Sequence, residues 1–291
     1  MTAPDRAQLV CTDLDGTLLN SAGAVGPVTR KALTEAAACR VPVVCVTGRP
    51  LRDALVVGRE LGSGGLVGCS NGAVMAEIPS GRVLMCRGFS ADRAGFVLQQ
   101  LRGRLPDIVL GVDTLRGLFL EEDFAALVPH CWRHDVVINA GSSLASDDRV
   151  VKILAVHPTV PARTLADLLI QPSDALTGTC STPHFLEMSP NGVDKGASLR
   201  WLANHHRLRL TATVAVGDMP NDLPMLRAAG LAAAVSNAHR DVRRAADLIL
   251  PSNDEEGVAD LITMVCRMDS KTPPGARSTH TGQERDRAGS G

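Results

Sequence analysis

The chain has no tyrosine, two tryptophans and five phenylalanines among its 291 residues. Proteins that hold single-stranded nucleic acid stack its bases on aromatic platforms, which this sequence lacks. It also lacks net charge. Thirty basic residues against 31 acidic ones leave −1, too little to attract nucleic acid or an anionic membrane surface by bulk electrostatics. No run of 18 apolar residues occurs, and the N-terminal MTAPDRAQLV has no basic stretch leading into a long apolar one. Together these absences predict a cytoplasmic protein with neither a membrane nor a nucleic-acid partner. The eight cysteines (Cys11, Cys39, Cys45, Cys69, Cys86, Cys131, Cys180 and Cys266) contain no C-x-x-C pair, and several lie in apolar runs. Reduced core thiols are expected, not a disulfide framework or a zinc site.

What is present is ordinary globular composition, 45% hydrophobic and 21% charged, in a chain long enough for two domains. Residues 8–13 form a short apolar run that ends in acid and then Gly16, the pattern of a buried strand entering a turn. A helix over about 28–39 follows, with Pro27 near its start, then an apolar run at 41–46 ending at Thr47-Gly48-Arg49. A second helix over 50–61, closed by Gly62, leads to an apolar run at 66–69 that ends at Ser70-Asn71-Gly72. This alternation predicts an α/β core, a Rossmann-like parallel sheet with helices on both faces. Between 83 and 186 shorter strand-like pieces (108–112, 117–120, 151–156 and 184–188) mix with helical segments at 91–104 and 161–170, which predicts an inserted α+β domain. From Lys195 the alternation resumes, with an apolar run at 213–216 that ends at Gly217-Asp218. The expected division is a core over 1–82 and 187–268, an insert over 83–186 and a disordered tail over 269–291, rich in Ser, Thr, Gly, Pro and charge.

In an open parallel sheet, ligands bind beyond the carboxyl ends of the strands. Residues there are Asp13 and Asp15, Thr47, Asn71, and Asp218 with Asn221 and Asp222. Acids at i and i+2 after a strand share one side if the chain stays extended, and they repel each other unless a cation or proton intervenes. With Asp218 they make a set of hard oxygen donors suited to Mg²⁺, and no local His or Cys cluster offers softer ones. A lone acid after a strand is usually a turn or cap residue; recurrence at a second strand end favours a site. Thr47 adds a hydroxyl and a backbone N–H at a turn tightened by Gly48, and Lys195 adds a point charge at a helix start. Such groups suit a phosphoryl centre, where catalysis is largely positioning and electrostatics.

Asp13-Leu-Asp-Gly-Thr-Leu-Leu-Asn20, Thr47-Gly-Arg49, Lys195 within Ser-Pro-Asn-Gly-Val-Asp-Lys-Gly, and Gly217-Asp-Met-Pro-Asn-Asp-Leu-Pro-Met225 resemble the four motifs of the haloacid dehalogenase-like hydrolase superfamily. Their order, with a large insert between the second and third, resembles its Cof-type branch, subfamily IIB with a C2 cap. Asn71-Gly-Ala73 and Asn253-Asp-Glu-Glu-Gly257 resemble further stretches of that branch, and the likeness spans about 8–265. The resemblance implies a Mg²⁺-dependent phosphatase for a small phosphorylated metabolite. Asp13 would be the nucleophile that forms an aspartyl-phosphate, and Asp15 the general acid and then base. Asp13, the Asp15 main-chain carbonyl and Asp218 would hold the metal, with Asp222 in support. Thr47, Gly48, Lys195 and Asn221 would contact the phosphate, with Asn71 nearby. Residues 232–238 (AAAVSNA) depart from the branch's usual pattern by losing a Gly and a Met, which implies altered packing beside the site.

Two other readings remain at this stage: a phosphosugar mutase of the same superfamily, and a non-catalytic sensor of a phosphometabolite. His157, His184, His205 and His206 have no partners at ligand spacing, and the Gly-rich stretch 62–68 lacks P-loop spacing. The insert is expected to cover the strand ends and select the substrate. Its polar candidates are Arg87, Asp113, Arg116, Glu121, Glu122 and His184. Sugar, flavin-pathway and pyridoxal phosphates all stay open, with few aromatics favouring a polyol over a stacked ring. The sequence carries no signal for oligomeric state.

Overall fold

The computed structural model describes residues 7–62, 65–125, 136–138, 144–181 and 184–270. In chain order the first segment gives β1 (Leu9–Thr12), α1 (Pro27–Ala38), β2 (Val43–Val46), α2 (Leu51–Leu61), β3 (Leu66–Cys69), β4 (Val74–Glu77) and β5 (Val83–Cys86). The middle segment gives β6 (Phe89–Ser90), α3 (Ala91–Arg104), β7 (Val109–Thr114), β8 (Leu118–Leu120), α4 (Glu122–Ala125), β9 (Val136–Ile138), β10 (Arg149–Val156), α5 (Ala162–Leu169), β11 (Leu176–Thr179) and β12 (Leu186–Pro190). The last gives α6 (Lys195–His205), β13 (Thr213–Gly217), α7 (Leu223–Ala228), β14 (Leu231–Val235), α8 (Arg240–Ala245), β15 (Leu248–Leu250) and α9 (Gly257–Ser270).

β1 is the hub. Its residues are all buried because strands lie on both sides of it and helices cover the sheet, which is why it reads as an unbroken apolar run. Val10 pairs with Val214 of β13 on one side and Val43 of β2 on the other, both in parallel. The eight strands of this sheet run β15-β14-β13-β1-β2-β3-β4-β5. The order reverses at β1, whose chain continues to β2 on one side while β13 arrives from the far end of the sequence on the other. That switch point opens a crevice at the strand ends, where Asp13 and Asp218 emerge. α1 starts at Pro27, whose missing N–H costs nothing in a first turn, and α2 closes on Gly62 in the left-handed region (φ 60°).

The insert forms a second sheet, β11-β12-β10-β7-β8-β9, with β6 paired to β10. The chain is therefore a Rossmann-like α/β core with an inserted α/β cap. Strand pairing moves the crossings a few residues beyond those expected. β5, expected to open the insert, pairs antiparallel with β4 on the first sheet, and β12 stays on the second through Pro190. Half-buried apolar residues such as Val83–Cys86 look alike on either sheet, and only the register Val74↔Cys86 assigns them. α9 continues through Ser270, past the start of the expected tail; residues 271–291, like Cys131, lie outside the described residues. Cys11, Cys39, Cys45, Cys69, Cys86, Cys180 and Cys266 are unpaired thiols.

A buried contact links the core to the cap: Ser70 Oγ, just past β3, donates to Asp113 Oδ2 on β7 at 2.5 Å. Burial pushes the Asp113 carboxyl up from the ordinary 3.8 to about 6, against the pull of Lys152 and the Ser70 hydrogen bond. A raised folded-state pKa contributes stability that is present below the unfolded value and lost as pH rises through the folded one. Wild type is therefore expected to lose about 2 kcal/mol between pH 4 and pH 7 that Asp113→Asn does not lose, since Asn still accepts from Ser70. Denaturant midpoints of the two proteins across that range check this; parallel curves would contradict it.

Candidate active site

Asp13 directly follows β1, and its N–H donates to Val216 O at 3.0 Å, continuing the ladder to β13 for one more residue. The chain then makes a wide turn over Leu14–Leu18, closed by Leu19 N donating to Leu14 O at 2.9 Å. Gly16 makes this turn possible. It sits at φ +74°, and a Cβ there would lie 2.6 Å from Asp218 Oδ2. Asp218 thus packs against bare backbone, and Thr17 Oγ1 donates to its Oδ1 at 2.8 Å. From the other side Asn237 Nδ2 donates to Gly16 O at 2.8 Å. Asn237 lies in the atypical 232–238 segment: the small residues there form buried β14, and the asparagine still braces the turn.

Lys195 opens α6, whose N-cap Asp194 accepts from Ala197 N at 2.6 Å. The helix start reaches the site because Gly72, at φ +93°, has no side chain; a Cβ would stand 2.4 Å from Asp194 O. The buried Lys195 Nζ lies 2.8 Å from Asp13 Oδ1 and 2.6 Å from Asp222 Oδ1. Asp222 Oδ2 accepts from the N–H groups of Asp218 and Met219 at 3.0 and 2.9 Å. Asp222 therefore ties the lysine to the loop that presents Asp218.

Three carboxylates gather here around one lysine, which contacts two of them. Oxygens of Asp13, Asp218 and Asp222 all lie within 4.8 Å of one another. Burial, reinforced by Asp222 and Asp218, pushes the Asp13 carboxyl well above the ordinary range despite Lys195. Burial and then Asp222 raise Asp218 to about 6. Burial would depress the Lys195 ammonium, yet Asp13 and Asp222 together hold it above the usual lysine value. The cluster carries more negative charge than its lysine cancels, and its donors are all hard oxygens, which fits a divalent cation such as Mg²⁺. Asp222 has both oxygens engaged by protein donors, so Asp13 and Asp218 have the greater capacity for a metal.

Asp15 is placed differently. Its half-exposed carboxylate is not in the cluster but is gripped by Arg49, Nε to Oδ2 at 2.8 Å and Nη2 to Oδ1 at 2.5 Å. Arg49 was missed as a site residue although it ends the Thr47-Gly48-Arg49 turn, because a pairing across 34 positions has no local signature. Thr12 pairs with Cys45, so Asp13 and Thr47 leave the sheet at the same edge. Thr47 Oγ1 accepts from Arg49 N at 3.1 Å, which leaves its proton for another acceptor. Asn221 Nδ2 donates to Asn71 Oδ1 at 3.1 Å. Beside Asn221 a cleft of about 600 Å³ opens between core and cap, lined by Arg163, Thr179 and Cys180 from the cap and Pro220, His239 and Asp241 from the core. Arg116 and Glu121 are engaged within the cap, Arg116 with Asp148 and Glu121 with Arg102 and the Leu110 N–H.

Mg²⁺ is expected to raise the melting temperature of the wild type, since a ligand at a hundred times its Kd adds about 2.7 kcal/mol to the folded state. Asp218→Asn should abolish that rise, and calorimetric scans with and without the metal measure it. An undiminished rise in the variant would place the metal elsewhere.

The profile of the haloacid dehalogenase-like hydrolases matches residues 10–262. Phosphatase YwpJ of Bacillus subtilis is 31% identical over 283 residues, covering 88% of this chain and 98% of its own. The B. subtilis 5-amino-6-(5-phospho-D-ribitylamino)uracil phosphatase YcsE is 26% identical, covering 88% of this chain and 94% of its own. The solved structure of a haloacid dehalogenase-like hydrolase from B. subtilis superimposes with a TM-score of 0.77 at 26% identity, over 88% of this chain and 99% of that one. With Asp13, Lys195, Asp218 and Asp222 gathered at the switch point of its sheet, this chain belongs to the haloacid dehalogenase-like hydrolase family.

Proposed function

We propose that the chain is a Mg²⁺-dependent phosphatase of the Cof-type, subfamily IIB branch, which hydrolyses a small phosphomonoester through an aspartyl-phosphate on Asp13. The observation that carries this reading is the buried Asp13 carboxylate, held by Lys195 at 2.8 Å within a cluster that also contains Asp218 and Asp222. One Asp13 oxygen faces the lysine, which fixes the carboxylate's orientation and leaves the other for attack on phosphorus. Bound Mg²⁺, held by Asp13, Asp218 and the Asp15 carbonyl, would supply the positive charge that offsets phosphoryl oxygens and nucleophile alike.

The chain's own groups supply the rest. The Thr47 hydroxyl and the Gly48 N–H, at the edge where Asp13 emerges, receive phosphoryl oxygens, and Lys195 adds a fixed charge. Asp15 delivers a proton to the leaving oxygen and then takes one from the attacking water. Its half-exposed position suits that task, because the leaving group departs toward the cap. Asn71 and Asn221, bonded to each other, border the path to the cleft.

The cleft lining mixes polar groups (Arg163, Thr179, Asn221, His239 and Asp241) with apolar ones (Ala166, Leu186 and Met219) and includes no Phe or Trp, which speaks against a stacked ring as the leaving group. A sugar phosphate or polyol phosphate is the proposed substrate class, and the phosphorylated ribityl compound in the YcsE name belongs to that class. The cytoplasm, where such metabolites reside, is the proposed location; no helix among the described residues is long and apolar enough to cross a membrane.

Orthophosphate release from p-nitrophenyl phosphate and a panel of sugar phosphates, with and without Mg²⁺, tests the reading. Wild type is expected to require the metal, and Asp13→Asn to lose activity by about 10³-fold or more while keeping its melting temperature. Metal-independent turnover, or a fully active Asp13→Asn, would refute it.

A further inference from the structure

Three carbonyls line the turn that follows β2, and each is held by a different donor. Asn71 N donates to Thr47 O at 3.0 Å and Ser70 N to Arg49 O at 2.8 Å, both from the core itself. The carbonyl between them, Gly48 O, accepts instead from Lys152 Nζ at 2.8 Å, and Lys152 belongs to β10 of the cap. Lys152 is fully buried, and so is its counter-ion Glu187 on β12, at 2.6 Å. Glu187 Oε2 also accepts from Ser181 N at 3.2 Å. Burial alone would raise the Glu187 carboxyl, but Lys152 and the Ser181 bond keep it below the ordinary glutamate range.

Stability does not explain this pair. Two charges taken out of water cost several kcal/mol each, and an apolar pair of similar volume commonly serves a core as well. What an apolar pair could not do is hold Gly48 O. That carbonyl belongs to the peptide whose nitrogen is Arg49 N, and the Arg49 side chain grips both oxygens of Asp15. A chain of direct contacts therefore runs from the cap, Glu187 to Lys152 to the Gly48–Arg49 peptide to the Arg49 guanidinium, and ends on Asp15.

We propose that Lys152 and Glu187 are positioning residues for phosphoryl transfer, through which the cap sets the orientation of the Gly48–Arg49 peptide and thereby aims Asp15 at the leaving-group oxygen. The proposal rests on the phosphatase reading and on Asp15 as its proton donor. The cap thus has a second task beside covering the substrate: it completes the acid–base machinery of the core.

The leaving group supplies the discriminating readout. Phenyl phosphate and p-nitrophenyl phosphate are close in size, but phenoxide is the poorer leaving group and depends more on a well-aimed proton donor. The test variant is the double substitution Lys152→Met with Glu187→Met, which removes both charges together. Its melting temperature and its kcat/KM for both esters, which reports the first transfer, are compared with wild type. The expected result is a melting temperature near or above that of wild type, with kcat/KM reduced tenfold or more for phenyl phosphate and threefold or less for p-nitrophenyl phosphate. Should the double variant fail to fold, Glu187→Gln, which keeps the volume, is read in the same way and is expected to show the same imbalance. Equal losses on both esters, or unchanged kinetics in a folded variant, would overturn the proposal while leaving the phosphatase reading intact. A wild type that releases phosphate from neither ester would fail the phosphatase reading, and the proposal with it.

Discussion

Lys195 carries a full positive charge into a space that water does not reach, and two carboxylates share it, Asp13 at 2.8 Å and Asp222 at 2.6 Å. A buried ammonium is stable only where its protons are met, and a buried carboxylate only where its charge is balanced. Each therefore fixes the other. Asp13 comes from the first strand and Asp222 from beyond β13, so the ion network joins parts of the chain separated by the whole cap. It also remains one cation short. Burial and then Asp222 lift the pKa of Asp218 beside it to about 6, against the Thr17 hydrogen bond and the charge of Lys195. A divalent cation held by Asp13 and Asp218 would complete the balance.

Backbone economy lets these charges meet. At Gly16 and Gly72 a side chain would separate them, the first by striking Asp218 and the second by pushing away the start of α6. Both sit at positive φ, so the same residue satisfies the turn and the close approach. The cap then adds its own buried charges to a core that is otherwise self-contained. Asp113 meets Ser70, and Lys152 meets the Gly48 carbonyl. Contacts of this kind tie the cap to the turns that follow β2 and β3 of the core.

The sequence made the core legible because a parallel sheet writes itself as apolar runs, and because chemistry placed at strand ends appears directly after them. Asp13, Asp15, Thr47, Asn71, Asp218, Asn221 and Asp222 are candidates read in that way, and Lys195 is read as a charge at a helix start. The Asp15–Arg49 clamp was not legible: Asp15 stays extended (φ −74°, ψ 124°), but nothing local marks a guanidinium 34 positions away as its partner. Lys152 and Glu187 were invisible for another reason. A single charge in a strand such as RVVKILAV reads as a solvent-facing position, and only tertiary pairing reveals that it faces a carbonyl of the core. The β4–β5 hairpin escaped notice because short apolar strands carry no mark of the sheet they join.

The central claim is that Asp13 becomes phosphorylated. The most direct measurement is rapid acid quenching of enzyme turning over a ³²P-labelled phosphomonoester, followed by proteolysis and mass spectrometry of the labelled peptide. A transient phosphoryl group is expected on the peptide that contains Asp13, gone when that residue is replaced by Asn. Steady turnover with no label at Asp13, or with the label on another residue, would contradict it.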